Sequence, residues 1–233
     1  MSDPNPIPLS KLPDFDPRRV PVAGVDAHLP VVPAGHLQAP ALRARFAAPP
    51  AWTPELRAEP RFTDREPAAA SVLVPLVMRE RPTLLLTQRT THLSTHSGQI
   101  AFPGGKVDPQ DTDAAHTALR EAEEEIGLAS QWVEVLGHLP TYTTGTRFIV
   151  TPVVALVDPG HRLTLNQGEV ADAFEVPLDF VMNPAHHRRH VMQVSNARRE
   201  WFSMPYAEPG GPERFIWGAT AGMLRNLYRF LLA

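Results

Sequence analysis

Fourteen of the 26 prolines in this chain lie within residues 1–67. Proline removes a backbone N–H and fixes φ, so such a stretch cannot run as regular sheet or as a long helix. One short helical pattern survives in it, PALRARFA at residues 40–47. Val20, Val22, Val25, Leu29, Val31 and Val32 make this arm less polar than a solvated linker. Part of it is therefore expected to pack on a folded body. The expected form is an extension that hugs the surface. An arm that docks on a partner, or on a second copy of the chain in a homodimer, is the other reading.

From Ala70 the texture changes. SVLVPLVM and TLLLTQ are short apolar runs bounded by charge and proline, and they read as a strand pair. HLSTHSGQIAFPGG reads as a loop and DAAHTALREAEEEIG as a helix. WVEVLGHL and FIVTPVVALV read as strands, FEVPLDFVM as a strand passing into a short helix, and HVMQV with REWFSM as a hairpin. WGATAGMLRNLYRFLLA reads as a helix, apolar at Met223, Leu224, Leu227 and Leu231. Interspersed strands and helices place the chain in the α/β or α+β class with a mixed sheet. The expected division is a proline-rich extension, residues 1–67, and a folded domain, residues 68–233.

Composition narrows the function. A net charge of −3 over 233 residues gives no electrostatic case for a nucleic-acid partner. No apolar run of about 18 residues offers a membrane span. MSDPNPIPLS lacks the charged start and apolar run of a signal peptide. The chain has no cysteine, which excludes disulfides, thiolate metal sites and a cysteine nucleophile. The expectation is a cytoplasmic protein.

The segment REAEEEIGL, Arg120 to Leu128, places four glutamates in five residues. At about 100° per residue, Ala115, Ala118, Leu119, Ala122 and Ile126 share one apolar stripe. Glu121, Glu124 and Glu125 share a different arc, and Glu123 falls outside it. Like charges at such spacings repel by some tenths of a kcal/mol per pair, and the helix C-terminus disfavours anions further. A hard divalent cation such as Mg²⁺ or Mn²⁺ relieves both costs. A solvated acidic face is the bland alternative. Upstream, FPGG at residues 102–105 joins a fixed-φ proline to two glycines, whose exposed N–H groups could hold a phosphate beside such a cation. Asp113 suits a helix N-cap and Gly127 a left-handed C-terminal cap. Phe102, Trp201, Phe202 and Trp217 read as core, and the basic cluster HHRRH at 186–190 as a solvated strand or loop end.

Gly105 to Leu128 resembles the signature box of the Nudix hydrolases. That box has a glycine, five residues, a glutamate, seven residues, then Arg-Glu-apolar-x-Glu-Glu-x-Gly-apolar. Here Asp111 stands for the first glutamate and one residue is added before Arg120. Leu85 to Gly105, LLTQRTTHLSTHSGQIAFPGG, is similar to the signature preceding the box in coenzyme A pyrophosphatases, whose variant of the box commonly carries both departures. The resemblance covers about residues 68–232. It implies an α/β/α sandwich around a mixed sheet. It implies hydrolysis of the diphosphate of coenzyme A, or a derivative, to 3′,5′-ADP and 4′-phosphopantetheine or its acyl form. It implies Mg²⁺ or Mn²⁺ held by Glu121, Glu124 and Glu125, with Glu124 or the distant Glu169 as base and Arg120 in support. Arg89, His96, Gly104 and Gly105 are the candidate substrate contacts. The alternatives are a Nudix hydrolase of another nucleoside diphosphate derivative, such as NADH or ADP-ribose, and a non-catalytic Nudix-fold binding module.

Overall fold

The computed structural model describes residues 15–61, 63, 65–90, 98–194 and 197–233. The central sheet is built on two ten-residue strands, β2 (Ala68–Val77) and β8 (Phe148–Val157), once β1 (Val22–Val25) and helix α1 (Ala39–Ala47) have passed. β2 and β8 run parallel and in register from Ala68↔Phe148 to Val77↔Val157. The other strand pairings described in this sheet are antiparallel, so the sheet is mixed, as expected. β3 (Thr83–Arg89) pairs with β2 at one end and with β4 (Ile100–Ala101) at the other. β5 (Gly104–Lys106) takes the start of β2. Helix α2 (Ala114–Ile126) follows, then β6 (Val133–His138) and β7 (Tyr142–Thr143), which both pair with β8. β9 (Val170–Pro177) covers the outer edge of β3 and leads into the one-turn helix α3 (Leu178–Val181).

Pro75 sits inside β2 without breaking it. The Leu73 N–H donates to Pro103 O at 2.9 Å on the side where β5 and β3 pair. Two residues on, the Pro75 nitrogen faces the same side. There β2 has left β5, which ends opposite Val72, and has not yet reached β3, which starts opposite Leu76. No ladder bond is lost.

Alternation along the strands makes two cores. Leu73, Val77, Leu85, Val153 and Ala155 face α2, meeting Ala118, Ala122 and Ile126. Val74, Leu76, Leu84, Leu86, Val154 and Leu156 face the other way, toward Leu224, Leu227 and Leu231 of helix α4 (Gly218–Leu232). Phe102 is buried in that second core. A separate antiparallel sheet, β1-β10-β11-β12, adds β10 (Arg188–Val194), β11 (Ala197–Ala207) and β12 (Glu213–Trp217). Among the described residues, no helix is long and apolar enough to cross a membrane.

Two expectations about the arm and the basic cluster need correction. The arm does enter a sheet. β1 pairs with β10 at Val22↔His190 and Val25↔Arg188. An edge strand of four residues pairs on one side only, so nearby Pro21 removes no needed donor. Val32, Leu37 and Leu42 are buried in the α4-side core, and Phe46 and Trp52 pack on Phe230 at 4.8 and 5.2 Å between ring centroids. Val22, Val25 and Val31 stay exposed. HHRRH, read as solvated, has His187 and His190 buried.

His187 belongs to a buried charge network that ties arm to helix. Arg225 of α4, 1 % exposed, ion-pairs with Asp26 and with Glu55 of the arm, each at 2.8 Å. Its Nη1 also donates to His187 Nδ1 at 3.0 Å. Burial pushes the His187 imidazole down to about 4, so it stays neutral and can accept that bond. Removing one member of a buried ion pair strands the other, typically at a cost of 3–5 kcal/mol. Arg225→Ala should therefore lower unfolding free energy by about 3 kcal/mol in urea. It should also make residues 15–60 more sensitive to limited proteolysis. Stability within about 0.5 kcal/mol of wild type would count against this role for the network.

Candidate active site

The acidic helix is placed by its own ends. At the N-terminus the Asp113 carboxylate accepts from the His116 N–H at 2.8 Å. At the C-terminus Gly127 takes φ 66°, where an L side chain would be strained and its Cβ would stand 2.9 Å from Thr164. The loop after β8 satisfies the last carbonyls. Thr164 N–H donates to Ile126 O and Asn166 N–H to Glu125 O, at 2.8 and 2.9 Å.

Two glycines let the helix lie close to the sheet. A Cβ on Gly104 would stand 2.4 Å from Ser71 O, and one on Gly105 would stand 2.4 Å from Glu121 Cδ. The Gly104 N–H donates to Glu125 Oε2 at 3.2 Å. Glu121 and Glu125 are thus pressed against the backbone of the FPGG turn.

Arg120 organises the outer carboxylates. Its Nε and Nη2 hold both oxygens of Asp111, each at 3.0 Å. Its Nη1 bridges Glu121 at 3.0 Å and Glu124 at 3.1 Å, and Nη2 also donates to Lys106 O. Asp111 is held in turn by the Asp108 N–H at 2.8 Å and the Thr117 hydroxyl at 2.9 Å. Arg120 and the Asp108 N–H keep its carboxyl well below the usual carboxylate range. Asp111 was not expected among the site residues. The signal was present in the sequence, since a shortened side chain and an added residue before Arg120 occur together.

The three glutamates share an arc on the helix but not an environment. The Glu124 side chain is 59 % exposed, whereas that of Glu125 is 6 % exposed. Burial pushes the Glu121 carboxyl up; Arg120 pulls it down, and the charges of Glu124 and Glu169 add to the rise. Burial pushes Glu125 up to about 7, against the Gly104 N–H and Arg89, with Glu121 and Glu169 adding to it. Arg89, at the end of β3, reaches Glu125 Oε1 at 3.7 Å, and its buried Nε has no hydrogen-bond partner among the described residues.

Glu169 joins this field from 44 residues down the chain. Its N–H donates to Asn166 O, its own carbonyl accepts from the Thr90 N–H, and Asn166 Nδ2 reaches its Oε1 at 3.4 Å. The loop that caps the helix therefore also carries Glu169 to it. Asn166, which ties cap to glutamate, went unread in the sequence. His96 lies outside the described residues.

Among the described residues, no three metal-ligating side chains already surround one point. The helical wheel put Glu121, Glu124 and Glu125 on one arc; the structure shows Arg120 bridging two of them while the third turns inward. The donor set nonetheless fits a hard divalent cation. It offers carboxylate oxygens that raise one another's protonation, and Gly105 leaves Glu121 room beside the backbone.

The NUDIX domain family model matches residues 67–194. The chain belongs to the Nudix family. It is 42 % identical over 159 residues to the uncharacterized Nudix hydrolase NudL of Escherichia coli K12, covering 68 % of this chain and 80 % of that one. Identity and coverage are the same for NudL of Citrobacter koseri, and identity is 43 % for NudL of Salmonella paratyphi B. Family members act on pyrophosphate bonds with divalent ions such as Mg²⁺ or Mn²⁺.

The two glycines should fail differently. Gly105→Ala meets the end of a flexible side chain, so the protein should fold while Glu121 is displaced, with diphosphate hydrolysis falling at least tenfold. Gly104→Ala meets backbone and should cost about 2–3 kcal/mol of stability. Denaturation curves beside steady-state rates separate the two, and equal stability losses would refute the distinction.

Glu125 sets a pH dependence. Its folded carboxyl, at about 7, lies above its ordinary value of 4.5. Between those values the folded chain holds a proton that the unfolded chain has released, so stability falls as pH rises. Glu125→Gln removes this. In urea titrations with chelator, its stability relative to wild type should improve by about 3 kcal/mol between the low and high ends of that window. A difference that does not change with pH would sink the assignment.

Proposed function

We propose that this chain hydrolyses the diphosphate of coenzyme A, or of an acyl derivative, to 3′,5′-ADP and 4′-phosphopantetheine or its acyl form. The observation that carries the reading is the glycine turn pressed on the acidic helix. Gly105 leaves room for Glu121, and the Gly104 N–H reaches Glu125. Coenzyme A is favoured among diphosphates by the LLTQR and GQIAFPGG segments, whose Arg89 lies against Glu125.

Glu121, Glu124 and Glu125 would hold Mg²⁺ or Mn²⁺. Bound there, such a cation would supply charge neutralisation of the diphosphate and a more acidic water. Glu124, the most exposed of the three, accepts the water's proton as general base. Glu169 is the second candidate, because its charge already acts on Glu121 and Glu125. The water oxygen bonds to one phosphorus as the bridging P–O bond breaks, and the bridging oxygen leaves on the other phosphate. Arg120 keeps Glu121 and Glu124 in place through one shared nitrogen. Arg89 pairs with the diphosphate; Gly104 and Gly105, read as substrate contacts, instead serve the helix and the sheet, the Gly104 N–H being given to Glu125 and Gly105 pairing with Ser71. We infer a cytoplasmic location, with which a chain free of cysteine is compatible. We also take residues 68–233 as the catalytic domain and 1–67 as an extension laid on it.

The test is incubation with coenzyme A and Mg²⁺ or Mn²⁺, beside Glu124→Gln, with products separated by chromatography. Wild type should yield 3′,5′-ADP, and the variant should lose at least a hundredfold in kcat. Cleavage of NADH or ADP-ribose with coenzyme A left intact would overturn the substrate while keeping the chemistry. No cleavage of any of them would favour a binding module.

A further inference from the structure

Ser71 is fully buried, and its hydroxyl has no hydrogen-bond partner among the described residues. A buried hydroxyl left unpaired is costly, and such a group in a native structure calls for a reason. Packing alone does not supply one. Alanine would fill nearly the same space, and Ala118 and Ala122 already do so on the facing helix. We propose that Ser71 is a positioning residue for the acidic site, its hydroxyl donating to the Glu121 carboxylate when that group takes up a divalent cation. The proposal rests on the reading of Glu121 as a metal ligand.

Strand alternation fixes which way Ser71 points. Leu73 and Val77, at the same parity along β2, pack against helix α2. Ser71 therefore points at that helix too. Register agrees. Ser71 stands opposite Gly105 across β2 and β5. Residues directly opposite share a face, with their Cβ positions about 4.5–5.5 Å apart. A Cβ on Gly105 would stand 2.4 and 2.5 Å from the two oxygens of Glu121. The Ser71 hydroxyl and the Glu121 carboxylate thus lie on one side of the sheet, with only the missing side chain of Gly105 between them.

One oxygen of that carboxylate is already held. Arg120 Nη1 reaches Glu121 Oε1 at 3.0 Å from the outer side of the helix. Ser71 approaches from the sheet side and is placed to serve Oε2. The last torsion of a glutamate is soft, so the carboxyl can turn toward the hydroxyl without moving the helix. β8 sets Thr151 on the other side of Ser71, yet the two hydroxyls are not bonded, which leaves the Ser71 proton free. Glu125 shows the same arrangement completed, since the Gly104 N–H donates to it from the sheet. With Ser71 engaged, each inner carboxylate has one neutral donor beneath it, and its remaining lone pairs are left for a hard cation. A neutral donor suits this place, because a further positive charge would compete with the cation.

The test uses the full chain as wild type, Ser71→Ala and Ser71→Cys. Urea denaturation in chelator reads the fold, calorimetry reads Mn²⁺ affinity, and steady-state rates at saturating Mn²⁺ read coenzyme A cleavage. Ser71→Ala should unfold at a urea concentration no lower than wild type, because it removes an unpaired hydroxyl. Its Mn²⁺ affinity should fall at least fivefold, and kcat should fall while KM stays within twofold. Ser71→Cys keeps a side chain of similar length with a weaker donor, and it should lose Mn²⁺ affinity in the same direction. Mn²⁺ affinity within twofold of wild type in Ser71→Ala overturns the proposal, and so does a Ser71→Ala chain that unfolds earlier in chelator. A weakened Ser71→Ala beside Ser71→Cys at wild-type affinity assigns the effect to volume and overturns it as well. Wild type that binds no Mn²⁺ sinks the reading of Glu121 as a ligand and this role with it. Wild type that binds Mn²⁺ beside an unchanged Ser71→Ala sinks this role alone.

Discussion

The structure turns on the close approach of helix α2 to the FPGG turn. Two missing side chains permit it. At Gly104 the obstacle would be backbone of β2, and at Gly105 it would be the carboxylate of Glu121. With the helix that close, the Gly104 N–H can serve Glu125 and the small face of Ala118 and Ala122 can meet Leu73 and Val77. The same turn joins β4 on β3 to β5 on β2, bridging the place where those strands part. Moving the helix outward would separate the sheet contact and the acidic site together.

That approach concentrates negative charge, and the protein offsets it with arginine on two sides. Arg120 faces outward, holding Asp111 with two nitrogens and sharing a third between Glu121 and Glu124. Arg89 approaches Glu125 from the sheet. Neither fully offsets the burial of Glu125, whose carboxyl remains raised. Carboxylates that repel one another at close range are what a hard divalent cation would bind.

The arm is held by a different physics. Its apolar residues Val32, Leu37 and Leu42 enter the core, and its acids Asp26 and Glu55 meet the buried guanidinium of Arg225. A buried ion pair adds little net stability over a hydrophobic substitute, yet breaking one side of it is costly. Here it fixes where the arm crosses α4. Phe15, further up the same arm, stands 6.1 Å from Trp217 between ring centroids.

The sequence alone determined what local rules govern. The caps at Asp113 and Gly127, the alanine stripe of α2 and the strand runs from Ser71 onward were legible, because a period or a dihedral requirement spans only a few residues. The glycine pair and the acidic run were legible for the same reason. Only the tertiary structure decided how the glutamates divide their roles. The wheel puts Glu124 and Glu125 at the two ends of one arc, about 100° apart, but packing against Gly104 buries one and leaves the other in water. Only the fold brings Glu169 in, through a loop recruited to cap α2, and only the fold turns His187, in an expected surface cluster, into a buried partner of Arg225. Burial and charge pairing are set by contacts between segments far apart in the chain, and no window of neighbouring residues carries that information.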